Sequence, residues 1–292
     1  YNLAGTLQEL GQLDDSVKSY EKSLAINPDY AEAHNNLGNV LKDLEQLDAA
    51  VKSYKNAIAI KPDYVEAHYS LGNTHQELGQ LDDAVKSYKE VIDIEPDFAE
   101  MHNNLGVILK ELNQKDAALK SLERAVAIKP GFAEAHNNLG NILKDLYQLD
   151  SSVKSYEKAL ALKPDYVDAH YNLGGAFKDL GQLEAAVKSY EKAVALKPDY
   201  ADGHYNLGGA FKDLGQLEAA VKSYEKAVAH KPDYAEAHNN LGSVLKEQGQ
   251  LDAAIKYYDH AMELKPDIYF TFGELLHTKM QLCIWDDLSS QL

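Results

Sequence analysis

The 292-residue chain carries 29 basic against 46 acidic side chains, a formal charge of −17, with 45% apolar and 26% charged residues. That balance argues against a nucleic-acid ligand, whose phosphates require a basic stripe, and leaves no patch for an anionic membrane surface. No apolar run reaches the roughly 18–20 residues needed to span a bilayer. One cysteine, Cys283, permits no intrachain disulfide, and such usage fits a reducing, intracellular and cytoplasmic location. The sequence opens at Tyr1 without a signal-like segment and reads as cut from something longer.

Every proline belongs to one series, Pro28, Pro62, Pro96, Pro130, Pro164, Pro198, Pro232 and Pro266, spaced by 34 residues. A fixed period of this size predicts a solenoid rather than two ordinary domains. With Pro set at position 32, residues 1–268 form eight repeats: 1–30 (lacking its first four positions), 31–64, 65–98, 99–132, 133–166, 167–200, 201–234 and 235–268. A divergent stretch, 269–292, follows and reads as a capping helix or the start of a further domain.

Each repeat reads as two helices. At the joint before the third, Pro62-Asp63-Tyr64-Val65-Glu66 predicts Asp as the N-cap with an acid at N3, both suited to the positive end of the helix dipole. Gly131 replaces that Asp once, which predicts a weaker joint there. In 167–200, Leu173, Phe177 and Leu180 share one helical face. Leu183, Ala186, Val187, Tyr190, Ala193 and Val194 form the stripe of a second helix, and Gly181 between them suits a left-handed helix end. Repeats 167–200 and 201–234 differ only at Val167/Ala201, Ala169/Gly203 and Leu196/His230. The tail opens as another helical pattern, Phe272, Leu275, Leu276, Met280 and Ile284, but carries Glu274 at position 6 and Leu276 at position 8.

Leu173-Gly174, Phe177, Ala186, Tyr190, Ala193 and Pro198 in a 34-residue helix–turn–helix resemble the tetratricopeptide repeat. The resemblance implies an all-α, right-handed superhelical solenoid whose first helices line a concave surface, with positions 2, 5, 6, 9, 12 and 13 facing inward. Small residues at position 8 (Gly) and position 20 (Ala) let neighbouring helices approach closely, and each repeat needs its neighbours to bury its apolar faces. The family usually carries a large aromatic at position 4; seven repeats here carry His instead.

Position 6 is Asn2, Asn36, Asn104, Asn138, Asn172, Asn206 and Asn240, interrupted only by Ser70. An amide offers a donor and an acceptor together. A row of them can hold the main chain of an extended peptide without reading its side chains. The local alternative is that each Asn satisfies a nearby turn or neighbouring helix. Position 5 alternates between Asn (Asn35, Asn103, Asn137, Asn239) and Tyr (Tyr1, Tyr69, Tyr171, Tyr205). Tyr171 and Tyr205 read as either groove contacts or covers for a neighbouring helix. Asn39, Asn73 and Asn141 at position 9 give way to Gly175, Gly209 and Ser243, which predicts a roomier groove toward the C-terminus. Lysines at position 12, among them Lys144, Lys178 and Lys212, stand beside acids at position 13. They read as a solvated face or as a secondary rail for ligand side chains.

Position 2 is acidic (Glu32, Glu66, Glu100, Glu134, Asp168, Asp202, Glu236), which excludes the Lys/Arg clamp that chaperone-binding members of the family close on a terminal carboxylate. The His row (His34, His68, His102, His136, His170, His204, His238) reads as structural. Helices roughly 8–10 Å apart do not bring two nitrogens within about 2.0–2.1 Å of one zinc ion. No nucleophile–base pair, phosphate loop or metal cluster stands out, so no catalytic residue, cofactor or metal is expected, and the chain itself reads as no enzyme.

His277, Cys283, Trp285 and Asp287, with the Asn-rich repeats, resemble the last repeat and arm of O-linked N-acetylglucosamine transferases. That implies an asparagine ladder at position 6, and as an alternative function the substrate-recognition arm of a protein O-glycosyltransferase. The leading expectation is a protein-interaction scaffold for extended client segments, with self-association through repeat ends or the convex face as a further option.

Overall fold

The computed structural model describes residues 2–268 and 270–284. Every regular element among them is an α-helix: α1 (Asn2–Glu9), α2 (Leu13–Ile26), α3 (Ala31–Asp43), α4 (Leu47–Ile60), α5 (Val65–Glu77), α6 (Leu81–Ile94), α7 (Ala99–Glu111), α8 (Lys115–Ile128), α9 (Ala133–Asp145), α10 (Leu149–Leu162), α11 (Val167–Asp179), α12 (Leu183–Leu196), α13 (Ala201–Asp213), α14 (Leu217–His230), α15 (Ala235–Glu247), α16 (Leu251–Leu264) and α17 (Thr271–Gln281). The chain forms two compact halves, Tyr1–Ile142 and Leu143–Leu292. Within each, the two helices of a repeat pack on one another, and the second helix packs on the first helix of the next repeat, as α4 does on α5 and α12 on α13.

Position 7 supplies Leu37, Leu71 and Leu105 in the N-terminal half and Leu173, Leu207 and Leu241 in the C-terminal half, all buried. Ala50, Ala84, Ala186 and Ala220 at position 20 are fully buried, as are Tyr54 and Tyr88 at position 24. The glycine at position 8 is a steric requirement of that tyrosine. A Cβ on Gly38 would lie 2.5 Å from Tyr54 Cε1, and one on Gly174 would lie 2.7 Å from Tyr190 Cε1. The ring therefore lies flat against the backbone of the first helix, and the two helices of a repeat close on it.

The first helix ends as Gly181 predicts. Its φ is +72°; Gly181 N–H donates to the Lys178 carbonyl at 2.9 Å and Gln182 N–H to Phe177 at 2.8 Å, the paired bonds of a Schellman end. Glu45, Asn113 and Tyr147 adopt the same left-handed conformation where glycine is absent.

The helix start differs from expectation. Tyr64, not Asp63, is the N-cap of α5, and no side chain caps it. The proline sets up a four-residue turn, closed by Tyr64 N–H on the Lys61 carbonyl at 3.1 Å, which leaves the Asp one residue short of the boundary. The Lys61 ammonium lies 4.7 Å from the centre of the Tyr64 ring and holds the turn from outside. Gly131 changes none of this: Phe132 N–H still bonds Lys129 at 3.0 Å and His136 N–H bonds Phe132 at 3.1 Å. The turn at Gly131 thus keeps the backbone bonds of the others without an aspartate.

Histidine completes the joint. The Nε2 of His34, His68, His102, His136, His170, His204 and His238 meets the carbonyl of the proline six residues earlier at 2.8–2.9 Å. A carbonyl only accepts, so Nε2 carries the proton. Nδ1 of His136, His204 and His238 is buried without a partner. This polar staple occupies the place the family gives to a large aromatic.

In the tail, α17 packs on α16 and α15. Leu275 is buried, while Phe272 and Met280 are exposed. Thr271 Oγ1 donates to Asn239 Oδ1 at 2.8 Å. Tyr1 at position 5, and Trp285 and Asp287 of the tail, lie outside the described residues.

Candidate functional site

The position-6 side chains sit on the first helix of their repeats. Asn36, Ser70, Asn104, Asn138, Asn172, Asn206 and Asn240 are half-buried, and Asn2 is exposed. Several are held by the repeat before them. Asn138 Nδ2 donates to Asn103 Oδ1 at 2.9 Å in the N-terminal half. In the C-terminal half, Asn206 donates to Tyr171 Oη at 2.6 Å and Asn240 to Tyr205 Oη at 3.0 Å. One rule covers all three: position 6 donates to position 5 of the preceding repeat. Asn35 and Asn103 also donate sideways, Nδ2 to the side-chain Oδ1 of Asn36 and Asn104, at 3.4 and 3.3 Å.

Position 5 is thus the support beneath the row. Asn35, Asn103 and Asn137 are buried, and Tyr171 and Tyr205 are half-buried. Tyr171 packs 5.1 Å from Tyr200 and Tyr205 packs 4.9 Å from Tyr234, between ring centres. Burial, then nearby carboxylates such as Asp202 for Tyr171 and Glu236 for Tyr205, push both hydroxyls above the usual tyrosine range.

Position 9 is organised differently in the two halves. Tyr54 Oη donates to Asn39 Oδ1 at 2.9 Å and Tyr88 Oη to Asn73 Oδ1 at 2.6 Å. Burial pushes Tyr54 up to about 12, so it remains a hydroxyl donor at neutral pH. The glycines of the C-terminal half do not open the groove. A Cβ on Gly175 would meet Lys144 Nζ at 2.9 Å, and one on Gly209 would meet Lys178 Nζ at 3.3 Å; Lys212 Nζ donates to Ser243 Oγ at 2.9 Å. Each lysine comes from the preceding repeat and fills the space. The same lysines bridge to the acid at position 13 of the following repeat: Lys144–Asp179 at 3.2 Å, Lys178–Asp213 at 3.1 Å and Lys212–Glu247 at 3.2 Å. Each of these bridges spans two repeats, because adjacent side chains on one helix diverge.

Two residues escape the sequence reading, Val107 at position 9 and Leu122 at position 24. They stand where other repeats carry polar or small residues and tyrosine, and that simultaneous departure is the signal that would have found them. Together with Gly106, Lys110, Asn138 and Asn141 they line a hollow of about 230 Å³. A larger hollow, about 580 Å³, lies away from the Asn row, bordered by Val194, His204, Phe211, Lys226 and His230. Among the described residues no group of three His, Cys, Asp or Glu could hold a metal ion. No described helix is long and apolar enough to cross a membrane.

Models of the TPR repeat match residues 6–45, 38–79, 75–113, 106–147, 140–181, 175–215 and 208–249, and the tetratricopeptide repeat model matches 235–268. The chain is a tetratricopeptide repeat protein. A comparison with curated proteins returned no match. Among solved structures, a crystal structure of MamA is 28% identical with a TM-score of 0.54, spanning 57% of this repeat protein and 97% of MamA. YrrB, described as a TPR protein with an unusual peptide-binding site, is 22% identical with a TM-score of 0.57, over 67% of this chain and 99% of its own. The APC/C hetero-tetramer Cut9–Hcn1 is 14% identical with a TM-score of 0.64, over 91% of this tetratricopeptide chain and 52% of the matched one.

Proposed function

We propose that the chain is a protein-interaction scaffold that holds an extended segment of a client protein against the position-6 asparagines. The observation that carries this reading is the support under the row. Asn138, Asn206 and Asn240 each commit one amide hydrogen to the preceding repeat, which fixes the orientation of the amide before any ligand arrives. A preset amide loses little side-chain freedom on binding, and each still has further donor and acceptor capacity. The lysine rail is a weaker candidate, since its ammonium groups are paired between repeats. YrrB's peptide-binding site suits this reading, though likeness at that identity extends to the fold alone.

The test is the triple variant Asn138→Ala, Asn172→Ala, Asn206→Ala, compared with the parent for peptide binding, with folding checked by circular dichroism. A loss of at least about tenfold is expected, since hydrogen bonds contribute about 0.5–1.5 kcal/mol each. Unchanged affinity rejects the ladder.

A second reading adds a catalytic partner: the same groove presents substrates to a protein O-glycosyltransferase domain. It rests on the tail, whose His277, Cys283, Trp285 and Asp287 resemble in sequence the last repeat of O-linked N-acetylglucosamine transferases. Reading the gene beyond Leu292 tests it, and a stop codon directly afterwards rejects it. Self-association through a repeat end or the convex face is a further reading, which a clean monomer in sedimentation over a concentration range rejects. The exposed free thiol of Cys283 suits an intracellular site of action.

A further inference from the structure

We propose that the hollow over Val107 and Leu122 is a socket for one bulky apolar side chain of the bound peptide, and that it sets the register in which the peptide lies. The proposal rests on the peptide-groove reading and adds a specificity element to it.

In the two preceding repeats the same place is built from a polar pair. Asn39 with Tyr54 and Asn73 with Tyr88 each bond across positions 9 and 24. In repeat 99–132 both partners are apolar together. The double change removes both polar partners at once and leaves two apolar side chains facing each other. Leucine also lacks the ring and oxygen that reach toward position 9 in the other repeats. Leu122 itself is 1% exposed, so it forms the bottom of the hollow rather than its lid. Gly106 remains glycine, because a Cβ there would lie 2.5 Å from Leu122 Cγ.

The resulting space, about 230 Å³, exceeds the roughly 150 Å³ of an apolar cavity that accepts benzene. A leucine, isoleucine, methionine or phenylalanine side chain fits that scale. The rim supplies the peptide's orientation. Asn138, held by Asn103, borders the hollow along with Asn141. A main chain bonded to Asn138 therefore has a side chain within reach of an apolar floor. Lys110 and Glu111 complete the border with opposite charges, so the socket selects by shape and apolarity, not by net charge. A uniform amide row allows a peptide to slide by whole repeats; one apolar socket removes that degeneracy.

Random peptides displayed on phage are selected against the folded chain, and affinities of the selected peptides are measured for the parent, for Leu122→Tyr, for the double variant Val107→Asn/Leu122→Tyr and for the triple Asn variant. The double variant restores the pair found in other repeats, and a thermal melt confirms its fold if Leu122→Tyr alone disturbs packing. The expected result is a shared bulky apolar position whose replacement by Ala weakens binding to the parent about tenfold or more. The double variant loses the same factor on the anchored peptide and binds the Ala peptide as the parent does. Parent-like binding of every peptide by the double variant overturns the socket, and a loss in the triple Asn variant then leaves the ladder standing. Parent-like binding by the triple variant, with loss in the double variant, supports the socket and removes the ladder. Enrichment of no peptide overturns both. Self-association of the parent that the double variant abolishes, read by sedimentation, assigns the hollow to a second copy and overturns the peptide assignment.

Discussion

The N-terminal and C-terminal halves use the same helix pair to support their asparagines in different ways. In the first, Asn138 rests amide on amide upon Asn103, and Asn39 and Asn73 at position 9 accept from the core tyrosines Tyr54 and Tyr88. In the second, amide rests on phenol, Asn206 on Tyr171 and Asn240 on Tyr205, and position 9 is small with a lysine folded over it. The constant feature is where the bond goes, from position 6 to position 5 of the preceding repeat. Orientation of the row is thus conserved through a change of chemistry beneath it. Both halves carry the lysine bridge between repeats, Lys42–Glu77 at 2.7 Å in the first and Lys144–Asp179 at 3.2 Å in the second, and they differ at position 9, which is Asn39, Asn73 and the apolar Val107 in the first but small in the second.

The largest expected effect tests what the halves share. Gly72→Ala and Gly208→Ala place a Cβ 2.5 Å from Tyr88 Cε1 and 2.8 Å from Tyr224 Cδ1. Each should lose about 1–3 kcal/mol in urea unfolding, the usual range for overpacking; a harmless alanine in one half would break the common packing rule. A smaller effect separates the halves. Tyr88→Phe removes the donor to Asn73 and should cost about 1 kcal/mol or more, while Tyr190→Phe, opposite Gly175, should cost less; equal losses would show that position 9 does not matter. The smallest is a pH effect in the C-terminal half. Burial lowers His204 and His238 below the ordinary 6.5, more than the proline carbonyls raise them. Protons then bind the unfolded state more tightly, so stability is full above about pH 6.5 and declines as the pH falls below it. A fluorescence melt series across that window checks the sign, and His204→Gln with His238→Gln should flatten the decline.

The repeat itself was legible because its signals are local or strictly periodic. Proline gave the phase, Gly181 the helix end, and Leu, Ala and Tyr at fixed positions the core. The structural role of His34 and its six counterparts was also readable, since their spacing could not gather nitrogens on a metal. Pro62-Asp63 is common to a cap and to a turn, and only the Tyr64–Lys61 bond places the helix start at Tyr64 rather than Asp63. Position 5 and the lysines were harder for a different reason. Asn103, Tyr171 and Lys144 take their partners from a neighbouring repeat, and the sequence of one repeat does not say how the next lies across it. Val107 and Leu122 are hard to single out in the sequence because each looks like an ordinary apolar core residue when read singly.

The histidine–proline bond has a consequence for how such a chain can be assembled. Each bond closes a loop of only six residues, yet it straddles the joint between two successive repeats, fixing how one leaves the other. Contacts this close in sequence form early and at little entropic cost. At these seven joints a local restraint is thus added to the packing of one repeat on the next, and folding can begin at any of them and spread both ways.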